Sequence, residues 1–394
     1  MRSLRFLTDY FRLIICLLYP IVEFIVGIVQ ILTELKSSMG FAPNAEITLE
    51  MDPGTFDMKK LSQLSEAGIS RLSLGVQSFD SKILESAGRA HTVDDVTKAL
   101  ELVRSSNFRD NFSIDLISSL PGLSIDLWQD TLEKASASGC SHVSVYDLQV
   151  EDKTAFGRWY SPGVFPLPSD EISANMFCRA TEVLKASGFE HYEVSNYARQ
   201  GKRSQHNQRY WNCKPTWGFG MGAASFIANN RYTRPDRMIE YTKWVAELEV
   251  KGFTKSTTNI NDDFEDASLS LDENNPEDKS TDLILFNGIV NPTGATDILE
   301  VVMLALRTSD GLNLTELGNL YGEISVEKVL KAVLPFQERG LVEMKDTTVD
   351  VTSNNAETDL QSTNLLSRIV CLTDPEGFLL SNDIISSVFV ELTC

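Results

Sequence analysis

Residues 46–122 contain four blocks that decide the fold: EITLEMDPGTF at 46–56, RLSLGVQSFD at 71–80, GRAH at 88–91 and FSIDLISSLPG at 112–122. The three longer blocks each begin as an apolar, β-prone run and end in polar residues or glycine, with a helical pattern after them. This rhythm is typical of β-α units, in which the carboxyl ends of parallel strands carry ligand-binding groups. The stretch therefore predicts an α/β fold with a polar ligand site at its strand ends.

The alternation of strands and helices extends beyond this stretch. Strands are predicted at 47–50, 71–76, 112–117, 142–148 and 190–195, with helical patterns at 56–67, 80–87, 93–105, 125–138 and 170–187. Such alternation forms a parallel sheet through right-handed crossovers. Residues 196–244, rich in Asn, Arg, Gly and aromatic side chains, are expected to form irregular loops over a site. Helical patterns at 297–307, 313–320 and 326–338 predict a small C-terminal domain of helical, winged-helix-like type.

Composition narrows the classes of function. The 394 residues carry a net charge of −20, whereas a nucleic-acid binder needs clustered Lys and Arg, so no nucleic-acid partner is expected. Eight acidic residues and one lysine fall within residues 261–280, where few large apolar side chains occur. Such a segment cannot bury enough surface to offset the entropy cost of ordering, and we predict a disordered surface loop there.

An apolar run lies near the N-terminus. Residues 13–32 read LIICLLYPIVEFIVGIVQIL, with Glu23 as the only charge and three arginines ahead of the run. The run is long enough to span a bilayer, although Pro20 and Glu23 lie near its middle. Two interpretations stay open, a membrane anchor and a foreign leader joined to a truncated domain. In either case the segment needs a bilayer, a partner or a chaperone to cover it.

Four polar residues close or follow elements of the decisive stretch: Glu50, Gln77, Arg89 and Asp115. A carboxylate at a strand end can accept both hydroxyl groups of a ribose, and an amide can hold an edge polar group. A guanidinium suits a ligand carboxylate because its fork donates two parallel hydrogen bonds. One small ligand with a sugar and a carboxylate would use all four residues. Each residue alone is more simply explained as a helix cap or a surface ion pair.

The ordered blocks resemble a known family. Together with HVSVYDLQVEDKT, HYEVSNYA and HNQRYW, they are similar to oxygen-independent coproporphyrinogen III oxidase-like proteins, which are radical S-adenosylmethionine (SAM) proteins. The HNQRYW block resembles the haem-chaperone (HemW-type) branch rather than the true coproporphyrinogen dehydrogenases. The resemblance covers roughly residues 28–250, 297–340 and 371–390, and the order of seven blocks makes it specific.

The resemblance implies an α/β fold, namely a partial (β/α) radical SAM barrel that lacks its first strands, plus a small helical, winged-helix-like C-terminal domain. We accordingly divide the chain into four parts. They are an apolar leader outside the family at 1–27, a truncated barrel with substrate and haem loops at 28–250, an acidic disordered insertion at 251–295, and a C-terminal helical domain at 296–394.

The resemblance also assigns site residues by motif. The positions that would hold SAM are Glu50, Gln77, Arg89, Asp115, Gln149 and Phe226. The positions that would contact haem are His206, Asn207, Tyr210 and Trp211. Histidine offers an iron ligand, and tyrosine and tryptophan offer flat surfaces to a porphyrin. Arg203 and Arg209 are expected to meet its propionates.

The cluster motif of the family is not found in this sequence. In the family the first strand ends in CxxxCxxC, whose three thiolates hold a four-iron, four-sulfur cluster, and the second ends in a glycine-rich turn. Here the closest two of six cysteines, Cys371 and Cys394, are 23 residues apart. We therefore predict no metal ligand, no catalytic residue and no self-sufficient radical chemistry in this chain.

The family reading is a haem-binding chaperone in haem and porphyrin metabolism, with haem or porphyrin and recipient haem proteins as partners. One alternative is an oxygen-independent coproporphyrinogen III dehydrogenase, which forms protoporphyrinogen IX by oxidative decarboxylation. Another is a membrane-anchored, non-catalytic haem-binding protein that uses residues 13–32. The expected location is the cytoplasm or an organelle, either mitochondrion or chloroplast. Membrane association is expected if the chain is the membrane-anchored haem-binding protein.

Overall fold

The structure is a computed structural model that describes residues 13–16, 23–151, 154–161, 163–227, 229–255, 297–346 and 368–394. The described residues form two compact units. The first contains the residues up to Trp211 and again those from Val302, and the second contains Asn212–Val301. The barrel and the C-terminal domain expected from the sequence thus share one unit.

A seven-stranded sheet organises the first unit. Its strands are β1 (Leu13–Cys16), β2 (Ile47–Met51), β3 (Arg71–Gln77), β4 (Phe112–Ser118), β5 (His142–Asp147), β6 (Glu190–Glu193) and β7 (Asn196–Ala198). Their spatial order is β1-β2-β3-β4-β5-β7-β6, with β1 to β5 mutually parallel. Strand β7 runs antiparallel to both neighbours, so the predicted strand at 190–195 is in fact a hairpin. The parallel β-α architecture is confirmed.

Helices follow the strands as the sequence pattern predicts. They are α1 (Glu23–Ser38), α2 (Met58–Glu66), α3 (Ser81–Ser86), α4 (Val93–Arg104), α5 (Ile125–Ala137), α6 (Ala155–Trp159), α7 (Asp170–Ala186) and α8 (Gln205–Trp211). Six of them start at a side chain that accepts a backbone N–H of the first turn: Asp57, Asp80, Thr92, Ser124, Thr154 and Ser169. These N-caps satisfy donors that a helix cannot pair internally, and so fix where each helix begins.

The two faces of the sheet have opposite chemistry because side chains alternate along a strand. One face carries Leu49, Leu72 and Ile114, which are fully buried with the apolar sides of the helices. The other, which we call the polar face, carries Glu50, Arg71, Ser73, Ser113, Asp115, His142 and Ser144. The register places Glu50 opposite Ser73, and Asp115 opposite Ser144. The core therefore lies on one side and the candidate ligand groups on the other.

The second unit has more regular structure than the sequence predicted. Residues 196–244 were expected to be irregular, but the unit contains β8 (Ala224–Ile227), β9 (Asn230–Thr233) and α9 (Met238–Lys255). The two strands pair antiparallel. Helix α9 continues to Lys255, inside the range predicted as an acidic insertion. The remainder of that insertion, residues 256–295, lies outside the described residues.

The C-terminal elements have a winged-helix-like order. They are α10 (Ile298–Leu306), β10 (Leu312–Asn313), α11 (Leu314–Tyr321), α12 (Glu323–Glu338), β11 (Val342–Asp346), β12 (Arg368–Leu372), α13 (Glu376–Leu379) and α14 (Ser381–Thr393). Strands β10, β12 and β11 form an antiparallel sheet in that order. The predicted small helical C-terminal domain is confirmed.

This domain packs on the far edge of the barrel within the first unit. Asp374 accepts a hydrogen bond from Lys185 at 2.8 Å and lies 2.6 Å from Nδ1 of the buried His191. The imidazole of His191 also stacks on the ring of Tyr197, with 4.1 Å between ring centroids. The backbone N–H of Val194 donates to the carbonyl of Arg307 at 3.1 Å. These contacts bring Arg307 and α13–α14 to the carboxyl ends of β5 and β6.

The apolar N-terminal run is divided between two elements. Strand β1 pairs in parallel with β2, and the register places Cys16 opposite Glu50. Helix α1 begins at Glu23, and residues 17–22 lie outside the described residues. In the part of the chain that is described, no helix is both long and apolar enough to cross a membrane. The assignment of residues 1–27 to an apolar leader outside the family domain stays a prediction.

Candidate functional site

Gly75 creates room for polar groups at the carboxyl ends of β2 and β3. A Cβ atom at this position would lie 2.7 Å from Oδ1 of Asp52 and 3.0 Å from Nε2 of Gln77, so any side chain would displace both. Gln77 itself is buried and has a φ of 67°, a left-handed conformation that few non-glycine residues adopt. The guanidinium of Arg89 pairs with Oδ1 of Asp52 at 3.9 Å. The predicted residues Gln77 and Arg89 are thus brought together around Gly75.

Asp52 was missed by the sequence analysis. It follows β2 directly, and its only sequence signal is its place in the block EITLEMDPGTF, two residues after Glu50. Asp52 and Arg89 are each about one-third exposed, so their pairing leaves both groups open to a ligand. A ligand carboxylate could meet Arg89 there, and a ligand ammonium could meet Asp52.

Asp115 lies in the middle of the polar face and is partly shielded from solvent. Its Oδ2 accepts a hydrogen bond from Oγ of Ser73 at 2.9 Å. Loss of solvation raises the pKa of its carboxyl to about 6, opposed by hydrogen bonds from Ser144 and Ser73 and assisted by the charge of Glu50. Glu50 and Asp115 are therefore close enough to interact electrostatically, while their assignment to one ligand site stays a prediction. Such shifts are frequent at functional sites.

Tyr146 is a further residue that sequence reasoning did not single out. It lies two residues after Ser144 on β5 and therefore on the same polar face, and the residue is 46% exposed. Burial of its hydroxyl raises the pKa, and the nearby charge of Asp115 adds to the effect. Only its position two residues after Ser144 could have indicated this placement. A flat, hydrogen-bonding side chain beside two carboxylates suits a ligand that combines a ring with hydroxyl groups.

Helix α8 carries all four residues predicted to contact haem. The rings of His206 and Tyr210 meet edge to face, with 4.7 Å between centroids. Burial lowers the pKa of His206 to about 4, and the charge of Arg209 acts in the same direction. The imidazole is therefore neutral at pH 7, which is the form that ligates a metal. Asn207 is held at the helix start, where its backbone N–H donates to Oγ of Ser204 at 3.3 Å.

Arg203 and three of the histidines have partners within the first unit. The guanidinium of Arg203 is paired with the carboxylates of Glu190 and Asp310, and its contact with a propionate stays a prediction. The sequence did not indicate these ion pairs because Asp310 belongs to the C-terminal domain. The other three histidines have structural partners within the described fold: His91, His142 and His191.

A cavity of 520 Å³ lies at the carboxyl ends of β4 and β5. Gln149 and Trp211 both line it, which brings a predicted SAM contact together with a predicted haem contact. Val145, another lining residue, alternates with Ser144 on β5, so its own side chain lies on the opposite side of the sheet from the polar face.

The cavity combines charged and aromatic walls. Asp147, Asp170 and Glu193 supply carboxylates, and burial raises the pKa of Glu193. Among the described residues that line the cavity, Arg307 is the one basic side chain, and it donates to Oδ1 of Asn382 at 2.8 Å. Further walls are the rings of Phe177, Phe378 and Trp211. The lining suits a ligand with a flat apolar body and a polar edge.

Phe226 belongs to the second unit. Its ring is 5% exposed, and its backbone exchanges two hydrogen bonds of 2.8 Å with Thr216. The aromatic side chain is therefore packed in the interior of that unit. Its contact with SAM stays a prediction.

The cysteines whose side chains are described do not come together as ligands of an iron–sulfur cluster. Those with described side chains are Cys140, Cys178, Cys213, Cys371 and Cys394, each on a different element or terminus. Burial raises the pKa of Cys140 to about 11, which opposes formation of a thiolate. Nowhere in the described ranges do three Cys, His, Asp or Glu side chains come together as a metal site.

Comparison with known proteins agrees with this architecture. The family model of the radical SAM superfamily matches residues 16–135, and that of the HemN C-terminal domain matches residues 293–354. The haem chaperone HemW of Synechocystis sp. is 34% identical over 368 residues, which cover 93% of this chain and 80% of that protein. HemW of Bacillus subtilis is 36% identical over 209 residues, covering 53% of this chain and 54% of that protein.

A solved structure supports the fold. The coproporphyrinogen III oxidase HemN of Escherichia coli, a radical SAM enzyme, superposes with a TM-score of 0.66 at 20% identity. The match covers 92% of this chain and 74% of that one. Three features point to the same family. They are the parallel β-α sheet with polar strand ends, the HemN-type C-terminal domain, and the extended sequence identity to HemW. The chain belongs to the HemW-type haem chaperone family of radical SAM proteins.

Proposed function

We propose that this chain binds haem or a related porphyrin through α8 and the adjacent cavity, and passes it to recipient haem proteins. The single observation that carries the proposal is the arrangement on α8, where a neutral His206 contacts Tyr210 and Trp211 reaches the cavity wall. The relatives named as haem chaperones support the ligand class. A porphyrin would present its iron to the imidazole and its flat face to aromatic rings.

Haem titration of the purified full chain tests this proposal. Trp211→Ala is expected to weaken haem binding about tenfold, as loss of a stacking wall should. The matched control is Trp159→Ala, since Trp159 lies on α6, is 66% exposed and lies outside the cavity lining. His206→Ala should in addition change the absorbance spectrum of the bound haem. Equal affinity of Trp211→Ala and Trp159→Ala would count against the site.

The proposal has a pH dependence with a definite sign. Because the pKa of His206 is lowered to about 4, the imidazole carries no proton that must leave when iron binds at pH 5 to 8. The contribution of His206 to haem affinity should therefore be flat over that range and be lost progressively below about pH 4. By linkage, the unfolded chain takes up a proton near the ordinary pKa of 6.5. His206 thus destabilises the fold as the pH falls from about 6.5 to 4.

We further propose that the polar face holds an adenosyl ligand. Glu50 and Asp115 would accept ribose hydroxyl groups, while Gln77 and Arg89 would bind the polar end of the ligand near Gly75. When bound, SAM in this family supplies an adenosyl group for radical chemistry. The residues present fit binding of that ligand, whereas the described cysteines do not fit the cluster that would cleave it. Binding without cleavage is the proposed state.

Adenosyl-ligand binding should depend on the ionisation of Asp115. Its pKa of about 6 means that the carboxylate predominates at pH 7 and the carboxyl at pH 5. Affinity for S-adenosylhomocysteine, followed by calorimetry, should fall by up to about tenfold between those pH values, because a carboxylate is the stronger acceptor. Asp115→Asn should remove the dependence, and Asp110→Asn, at an exposed site, should keep it. A wild-type profile as flat as that of Asp115→Asn would refute the assignment.

A further inference from the structure

We propose that Glu46 and Arg71 are positioning residues that fix the start of α8 and thereby the orientation of His206. The inference rests on the proposed haem site for its functional consequence, while its structural part is independent of that site. It concerns residues 202–205, which we call the anchor segment. This segment lies directly ahead of the residues predicted to contact haem.

The buried ion pair of Glu46 and Arg71 forms a hydrogen bond with each end of the anchor segment. Arg71 is 1% exposed and Glu46 8% exposed, and Nη1 of Arg71 lies 3.4 Å from Oε2 of Glu46. The same Nη1 donates to the carbonyl of Lys202 at 3.2 Å. The backbone N–H of Gln205, the first residue of α8, donates to Oε1 of Glu46 at 3.0 Å. One buried ion pair of the barrel is therefore hydrogen-bonded to a segment more than a hundred residues away in the sequence.

Other polar groups of the same interior complete the anchor. The backbone N–H of Ser204 donates to the hydroxyl of Tyr192 at 3.3 Å, and that hydroxyl lies 2.8 Å from Nε2 of His142. Nη2 of Arg71 donates to Oγ of Ser113 at 2.9 Å, which fixes the guanidinium against β4. The network thus ties the helix start to β3, β4, β5 and β6.

Helix α8 needs this anchor because the helix is too short to be stable by itself. It spans seven residues, none of them fully buried, so no apolar side locks it into the core. An isolated helix of this length is not stable in water. Its first N–H groups have no internal partner, and Glu46 satisfies one of them. The buried ion pair, which is costly to desolvate, therefore has a positional role besides any contribution to stability.

His206 directly follows Gln205, whose backbone N–H donates to Glu46. A shift of the helix start would move the imidazole by a similar amount, and a ligand site loses affinity when its groups move by about half an ångström. The anchor should therefore act on haem binding without contact to haem. Neither Glu46 nor Arg71 lines the cavity.

The experiment compares full-length variants by two measurements, amide hydrogen exchange across Gln205–Trp211 and haem affinity. Glu46→Ala removes the acceptors for both Arg71 and the Gln205 N–H, while Glu46→Gln keeps an amide oxygen as a partial replacement. Leu132→Ala is the control for general destabilisation, because Leu132 is a fully buried core residue of α5. Chemical denaturation confirms that each variant is folded under the conditions used.

We expect Glu46→Ala to speed exchange across α8 by about tenfold relative to Leu132→Ala, and to weaken haem binding by about tenfold. Glu46→Gln should restore part of both. Exchange and affinity equal to those of Leu132→Ala would overturn the proposal. If the wild type binds no haem, the proposed function fails, and the exchange comparison alone decides whether the anchor positions α8. If Glu46→Ala speeds exchange but leaves haem affinity unchanged, the coupling to haem is refuted.

Discussion

Arg71→Met is expected to lower the free energy of unfolding by about 3–5 kcal/mol, because it leaves the Glu46 carboxylate buried without its charge partner. Methionine approximates the apolar stem of arginine, so the loss should come from polar groups and not from a cavity. The variant also removes the donors to the Lys202 carbonyl and the Ser113 hydroxyl. Urea denaturation followed by circular dichroism measures the change.

The matched control is Arg109→Met. Arg109 pairs with Asp110 at 3.3 Å, but the two side chains are 69% and 82% exposed. Solvent screens such a pair, and the change should stay within about 1 kcal/mol. A loss of similar size in both variants would show that the buried pair contributes no more than a surface pair, and would contradict the role given to Arg71.

Anaerobic reconstitution of this chain with iron and sulfide is expected to yield no four-iron cluster and no 5′-deoxyadenosine from SAM. Three thiolates must ligate three irons while the fourth iron stays open, and the sequence offers no cysteine triad at the family spacing. Iron counting, electron paramagnetic resonance and chromatography of the nucleoside measure the outcome. A four-iron signal with nucleoside formation would refute the proposal of binding without cleavage.

A designed variant tests whether ligand spacing is the cause. Cys16 ends β1 and lies opposite Glu50 of β2. Changing Pro20 and Glu23 to cysteine would recreate the spacing CxxxCxxC from Cys16 onward. We expect this double variant to retain more iron than the wild type after reconstitution. A wild type that retains as much iron as the double variant would show that other side chains hold the metal.

The sequence predicted the parallel β-α architecture because period-two strands and period-3.6 helices can be recognised locally. Glu50 and Asp115 lie on one face of the sheet, as expected for neighbouring parallel strands, and their role in one ligand site stays a prediction. The hairpin of β6 and β7 was missed because both strands are short and only two residues separate them. The regular elements of residues 224–255 were missed because glycine and polar residues dominate the composition around them.

Pairings between distant segments were not accessible from the sequence. The ion pairs of Arg203 with Glu190 and Asp310 join β6 to the C-terminal domain, and nothing in the local pattern of HNQRYW indicates them. The meeting of Gln149 with Trp211 in one cavity likewise depends on how α7 and the C-terminal helices close over β5. In both cases the partners lie far apart along the chain.

By itself, the sequence determined the strand and helix periodicity, the polar residues at the strand ends, the family, and the lack of a correctly spaced cysteine triad. These are local properties, because side-chain alternation and ligand spacing act over a few residues. Only the tertiary structure decided that Asp115 has a pKa of about 6 and that a buried Arg71–Glu46 pair holds the start of α8. Solvent exclusion and long-range hydrogen bonds arise only when distant segments pack together.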